Sequence, residues 1–127
     1  MAHGLSNYLC NAILNAVGNN TSLAVAVPYV KLHVGDPGAA GTANPATETT
    51  RKAISFAVAS AGAIASDADI SWTNISGSQD ATHFTVWDDV SAGNFLFSGS
   101  VTAGAYTAGD TYTITSGNLS ASLTVAS

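Results

Sequence analysis

The residues that could bind a metal ion in this sequence are three histidines and one cysteine. His3, His33 and His83 lie far apart in the chain, and none has a second suitable ligand at the spacing that a strand or helix would need to form a site. Cys10 is the only cysteine, so neither an intrachain disulfide nor a cysteine-based metal site can form. The sequence therefore predicts no metal site and no cofactor, and it predicts structural or contact roles for His33 and His83.

Two pairs of aspartates could be considered for acid–base catalysis. Asp67 lies close to Asp69, and Asp88 is followed directly by Asp89. Adjacent strand residues point to opposite faces of a sheet, so Asp88 and Asp89 are better interpreted as turn residues. Serines are abundant, but no Gly-x-Ser-x-Gly motif is present to position one as a nucleophile. We expect no catalytic residue and no enzymatic activity.

A Gly-Asp-Pro-Gly turn follows the apolar segment that ends at Val34, and it consists of Gly35, Asp36, Pro37 and Gly38. Glycine tolerates positive φ, Pro37 restricts its own φ, and Asp36 can accept a hydrogen bond from the backbone two residues on. A phosphate loop would need a lysine and a following helix, and a calcium loop would need several alternating oxygen ligands. Neither pattern is present, so the sequence predicts a structural turn.

The composition is poor in charge, with 9% charged residues and a net charge of −5. Lys31, Arg51 and Lys52 are the only cations, too few to follow a nucleic-acid backbone. We also expect no secretory signal and no membrane segment, because the apolar runs are short. A surface of small neutral residues loses little when it is dehydrated, which favours a permanent assembly and predicts a homo-oligomer.

One amphipathic helix is predicted over residues 4–17, with Gly18 as the residue that ends it. Leu5, Leu9 and Ile13 recur every four residues and form an apolar stripe. The stripe could cover one end of the chain's own sheet or pack on a neighbouring subunit. We therefore treat Leu5, Leu9, Ile13 and Trp87 as candidate interface residues.

The rest of the chain has the pattern of short strands. Alternation is clearest over residues 82–87, which place Phe84 and Val86 on one face and Trp87 on the other, and the segment from Asn94 returns as a hairpin. We also predict a strand through residues 54–58. Together the patterns predict a mainly β fold: an antiparallel sandwich or barrel of about seven to eight short strands with one N-terminal helix. Residues 1–127 would form a single domain, with a β-domain over 23–127.

Residues 37–50 form a long loop that contains almost no large apolar side chain. Such a composition cannot bury itself, so we expect an exposed arm that becomes ordered only against a neighbouring molecule.

Four aromatic residues, Trp72, Trp87, Tyr106 and Tyr112, could form a platform for a glycan. Trp87 is the best candidate for such a platform, because it ends a strand on the face opposite Phe84 and Val86. The alternative interpretation is that Trp87 fills the core or a contact between subunits.

Three blocks of the sequence resemble a known family. They are the N-terminal helix, the Tyr-Val-x-Leu-His-x-Gly-Asp-Pro-Gly block at 29–38, and the two-part block that runs from Thr-His-Phe-x-x-Trp-Asp at 82–88 to Gly-Asn-Phe-Leu-Phe-Ser-Gly at 93–99. Together they resemble the small virion proteins of tailed phages of actinobacteria and related hosts, which are described as tail-fibre-like, minor tail or capsid decoration proteins. The resemblance implies a structural, non-enzymatic role in a virion that is assembled in the bacterial cytoplasm.

Two functions follow as hypotheses from this resemblance. The first is a capsid decoration protein that binds and stabilises the lattice of the major capsid protein. The alternative is a tail- or fibre-associated minor structural protein, or an adhesin that binds a host glycan.

Overall fold

The computed structural model describes residues 4–126, with the backbone only for Ala103, so His3 lies outside the described residues. It confirms a mainly β fold with a helix near the N-terminus. The elements are β1 (Gly4–Leu5), α1 (Asn7–Gly18), β2 (Tyr29–His33), β3 (Lys52–Ala53), β4 (Ala63–Ala65), β5 (Ile70–Trp72), β6 (Gln79–Trp87), β7 (Phe95–Tyr106), β8 (Tyr112–Ile114) and β9 (Ser120–Ser122).

The main sheet is antiparallel and has the strand order β1-β7-β6-β2-β3. The long β6–β7 hairpin forms its centre, and β2 adds to the other side of β6. Two smaller antiparallel pairs, β4–β9 and β5–β8, complete a sandwich-like arrangement.

The core lies on the inner face of the main sheet, which the alternating pattern predicted. Val30, Leu32, Phe84 and Val86 all belong to one buried cluster, because alternate residues of β2 and β6 point to the same face. The β5–β8 pair contributes Ile70, Trp72 and Ile114 to the same cluster.

Residues 34–51, which we call the covering segment, form the predicted long loop, and most of residues 39–50 are exposed. The segment nevertheless packs on the edge and outer face of the main sheet instead of projecting as an arm, and its ordering against a neighbouring molecule stays a prediction. The segment lacks helix and has only a single strand-like bridge, at Pro45. However, its backbone is tied to β2, since the Ala46 N–H donates to the Leu32 carbonyl at 3.2 Å and Ala46 itself is buried. Small residues allow the backbone to approach the sheet closely, so that backbone hydrogen bonds replace the large side chains that the segment lacks.

The N-terminal region differs from the prediction at both ends of the helix. Gly4 and Leu5 form a strand that pairs with Ser98 and Phe97 of β7, and the helix begins only at Asn7. Ser6 caps the helix, since its Oγ accepts a hydrogen bond from the Leu9 N–H at 3.0 Å. Gly18 is the last residue of the helix and not the residue that follows it, because Asn19 is the capping residue and Asn20 adopts the positive φ.

The predicted strand over residues 54–58 is also wrong. The strand ends at Ala53; Ile54 turns into the core, whereas Val58 is 94% exposed. Beyond Ala53 this segment makes only an isolated bridge between Phe56 and Ser66, together with one hydrogen bond from the Ala57 N–H to the Ala65 carbonyl.

Within the described residues, no helix is long and apolar enough to cross a membrane.

Candidate functional site

The structure brings the predicted helix stripe together with two segments from the end of the β-domain. Leu9 and Ile13 of α1 and Leu5 of β1 line an apolar cavity of 220 Å³, together with Ile64 and Leu123. A second cavity of 560 Å³ shares Leu9, Ile64 and Phe97 with the first, so the two are adjacent. We call the residues that line both cavities the helix-end surface; its other members include Val25, Val27, Pro28, Phe56, Ala59, Gly62 and Ala121.

Several members of the helix-end surface are open to solvent. Leu123 is 49% exposed, and Val27 is also exposed. Leu5, Leu9 and Ile13 are only half-buried, and no residue of α1 is fully buried by the chain's own fold. The helix is thus docked on the β-domain but leaves part of its apolar side uncovered.

The residues that line the helix-end surface carry no formal charge, and most of them come from segments without formal charge. Residues 4–30, 53–66 and 111–126 contain no Asp, Glu, Lys, Arg or His. Covering such a surface requires no ion to be dehydrated, so the main free-energy change on contact is the burial of apolar area. This arrangement is suited to a stable protein–protein contact.

Trp87, the fourth candidate interface residue, lies on the opposite face of the main sheet. It is 8% exposed, and its ring packs against Phe95 at a centroid distance of 5.5 Å. The Arg51 guanidinium lies 4.2 Å from the centre of the Trp87 ring. Arg51 also donates hydrogen bonds to the carbonyls of Asp89 and Ala92, so it connects the covering segment to the β6–β7 turn.

Trp87 also begins a chain of buried hydrogen bonds on the outer face. Its Nε1 donates to Thr85 Oγ1 at 2.8 Å, which leaves the Thr85 hydroxyl proton for His33 Nε2 at 2.9 Å. His33 Nδ1 then donates to the Ala43 carbonyl at 2.8 Å. This assignment makes His33 a neutral imidazole that ties the covering segment to the sheet.

Burial is the largest cause that lowers the pKa of His33, and the nearby positive charge of Lys31 lowers it further. The hydrogen bond to the Ala43 carbonyl opposes the shift but does not cancel it. His33 therefore has a structural role in this chain: it holds the covering segment against the sheet.

The predicted turn is held by its own polar groups. Asp36 Oδ1 accepts a hydrogen bond from the Gly38 N–H at 2.9 Å, and Gly38 has a positive φ of 76°. The Asn44 side chain donates to the Asp36 carbonyl at 2.8 Å, and Pro37 is fully buried. These bonds hold the beginning of the covering segment in place.

The four aromatic residues considered as a glycan platform are largely internal. Trp72 and Tyr106 are buried, and Tyr112 is half-buried between them at centroid distances of 6.0 and 5.4 Å. Burial is the first cause that raises the pKa of Tyr112, followed by the proximity of Tyr106 and Asp80. Together with the buried Trp87, they cannot present an open stacking surface.

The four aspartate carboxylates accept hydrogen bonds within loops, and Asp88 and Asp89 both hold the β6–β7 turn, as predicted for turn residues. Asp88 accepts hydrogen bonds from the backbone and side chain of Asn94. Asp67 accepts from the Ser55 hydroxyl, whereas Asp69 accepts from the Ser116 N–H at 2.8 Å. Among the described residues, no group of three or more His, Cys, Asp or Glu side chains converges on a common point.

Glu48 is a structural residue that the sequence analysis missed. It is buried and accepts hydrogen bonds from the backbone N–H groups of Ser76 and Thr50. Burial would raise the pKa of Glu48, but these donors and the positive charge of Lys52 outweigh burial and lower it. The only sign of this role in the sequence is that Glu48 is a single acid in an otherwise uncharged segment.

Comparison with known proteins adds a family to this geometry. A family model described as "Podophage GP4 fiber I protein gp80" matches residues 4–122. The matched region includes the helix, the main sheet, the covering segment and the cavities of the helix-end surface almost entirely. No curated protein matches the chain.

Proposed function

The chain belongs to the family of podophage GP4 fiber I protein gp80, and from this premise we propose that it is a non-enzymatic structural subunit of a phage tail fibre. Membership makes it a virion structural protein of a bacteriophage. The location in the tail fibre and the absence of enzymatic activity are the parts that we propose. The observation that carries the proposal is the match over residues 4–122 to a family described as a fibre protein.

The fibre proposal takes precedence over capsid decoration, which was the first hypothesis from the sequence. The family description names a fibre and does not name a capsid protein. The major capsid protein was the partner expected for decoration, and an uncharged contact surface suits that partner as well as it suits a fibre component. The location in the virion therefore has to be tested directly.

We propose that the helix-end surface binds a second copy of this chain. Its lining residues carry no formal charge, whereas the whole chain carries −5, so two copies repel each other least where these surfaces meet. Burial would contribute about 25 cal/mol per Å² of apolar area, reduced by the cost of association.

Gold-labelled antibodies against this chain, applied to intact virions, test the fibre location. The result we expect is label on the tail and none on the faces of the head. An antibody against the major capsid protein is the matched control, and it should label the head. Label distributed over the head would overturn the fibre proposal and restore capsid decoration.

A further inference from the structure

A second groove, separate from the helix-end surface, lies along the other side of α1. It has a volume of 320 Å³ and is formed where residues 21–24 run back beside the helix. Its polar lining consists of Tyr8, Asn11, Asn15, Thr21 and Ser22. This volume is within the range of about 300–1,000 Å³ that is typical of small-molecule sites.

At this groove the helix contains residues of low helix propensity. Asparagine recurs at positions 7, 11, 15 and 19, and α1 places Asn11 and Asn15 in its interior. Asparagine is a poor residue for a helix interior, because its side chain competes for backbone hydrogen bonds. A departure from local preference that the fold does not require is typical of a functional position.

The hydrogen bonds around the groove leave a defined set of donors and acceptors. Asn15 Oδ1 accepts from Asn19 Nδ2 at 2.9 Å, so the amide N–H groups of Asn15 remain available. The Thr21 hydroxyl donates to the Asn19 carbonyl at 3.2 Å, so its oxygen can still accept. The Asn11 amide has no hydrogen bond to any of the described residues.

An exposed aromatic ring lies beside these polar groups. Tyr8 is 45% exposed, on the turn of the helix before Asn11. Residues 4–30 contain no charged side chain that could bind an anion. A neutral ligand with hydroxyl groups on its edge and C–H groups on its face would use both features, because the ring offers an apolar surface and the amides offer hydrogen bonds.

We propose that this groove, which we call the asparagine groove, binds a neutral saccharide. One face of a sugar ring packs on Tyr8, and its hydroxyl groups bond to Asn11 and Asn15. The proposal goes beyond the fibre function and does not depend on it, since it concerns the isolated chain. It also differs from the aromatic platform considered from the sequence, whose residues are largely buried.

Saturation-transfer NMR with the full-length chain tests the proposal. The probes are maltotriose, mannotriose and triacetylchitotriose as neutral saccharides, and trigalacturonic acid as a charged one. We expect saturable binding of at least one neutral probe at millimolar concentration, no binding of the charged probe, and shifts in the ring resonances of Tyr8. The shift measurement uses the unmodified protein, so it does not depend on a variant that folds.

Substitutions then locate the site. Asn11→Ala and Tyr8→Leu should each weaken binding by about tenfold, since each removes one main contact. Asn7→Ala is the matched control, because Asn7 is on the same helix but outside the groove, and it should bind as the unmodified chain does. Circular dichroism verifies that the three variants retain the helix.

Several results would overturn the proposal. These are no saturable binding of any neutral probe, preferential binding of trigalacturonic acid, or equal effects of Asn11→Ala and Asn7→Ala. A change in oligomeric state on Asn11→Ala, without any saccharide binding, would assign the groove to a protein contact. None of these results bears on whether the chain is located in a tail fibre, which the antibody labelling tests.

Discussion

At the scale of single residues, the least expected feature is a neutral histidine buried completely between Thr85 and the Ala43 carbonyl. In the folded chain the pKa of His33 lies below the ordinary value of about 6.5, mainly because of burial. Below that pH the unfolded chain binds more protons at this position than the folded chain does. The associated stability is therefore present above about pH 6.5 and is lost as the pH falls towards the lower folded pKa.

We predict that the free energy of unfolding decreases between about pH 7 and about pH 5, and that His33→Asn reduces this dependence. The variant should also be less stable at pH 7 by about 1–3 kcal/mol, because it breaks a buried hydrogen-bond chain. Urea unfolding at a series of pH values measures both effects. Parallel pH profiles for the two proteins would show that His33 does not control the acid sensitivity.

At the scale of elements, the covering segment is held by close backbone approach, most clearly at Gly41. Its φ is positive at 73°, and a Cβ at this position would lie only 2.7 Å from the Phe95 ring. Gly38 has a similar φ of 76°, but its Cβ would meet no atom closer than 3.8 Å.

We predict that Gly41→Ala destabilises the chain by about 1–3 kcal/mol more than Gly38→Ala does, since both substitutions strain the backbone and only the first overpacks Phe95. Thermal or urea unfolding of the two variants measures the difference. Equal losses of stability would mean that the covering segment can move away from Phe95 at Gly41 at no cost, and that it is not packed tightly on the sheet.

The helix stripe leads to a second prediction at this scale. Leu9→Asp should lower the free energy of unfolding by about 2–3 kcal/mol, because it places a charge between the helix and the core. Leu14→Asp is the matched control: Leu14 is on the same helix but 66% exposed, so its replacement should change stability by less than about 0.5 kcal/mol. Both are measured at low protein concentration, where self-association does not contribute. A Leu9→Asp variant as stable as Leu14→Asp would contradict the docking of the stripe.

These elements also show how far the sequence could predict the structure. The β6–β7 hairpin was predictable, because Phe84 and Val86 alternate with His83 and Thr85 over a long strand. The packing of the covering segment was not predictable from the sequence. Backbone hydrogen bonds and a glycine packed on an aromatic ring hold it, and neither produces a periodic pattern of apolar residues. At 54–58, three alternating apolar residues were too few to indicate a strand.

The candidate site was predictable to a similar degree. The helical period grouped Leu5, Leu9 and Ile13, which line one cavity although Leu5 belongs to β1, whereas Trp87 lies on the opposite face of the main sheet. Their role in an interface stays a prediction. The asparagine groove was missed, although the spacing of Asn7, Asn11 and Asn15 is visible in the sequence. Its significance depends on residues 21–24 returning beside the helix, and no local pattern predicts that return.

At the scale of the whole molecule, the uncharged helix-end surface determines which conditions should separate two copies. At about 1 M NaCl the range of charge interactions falls to about 3 Å, while apolar contacts persist. We predict that self-association, measured by sedimentation, survives this salt concentration and is lost in moderate urea. Leu123→Asp should weaken it, whereas Leu14→Asp should not. Dissociation by salt alone would show that ion pairs hold the copies together.

The central claim is that this virion protein is a component of the tail fibre, and its copy number tests that claim most directly. Quantitative mass spectrometry of purified virions gives the ratio of this chain to the major capsid protein. A fibre subunit should be present in tens of copies per particle at most, because each particle has few fibres. A ratio that corresponds to hundreds of copies, comparable with the capsid lattice, would contradict the fibre account and support capsid decoration.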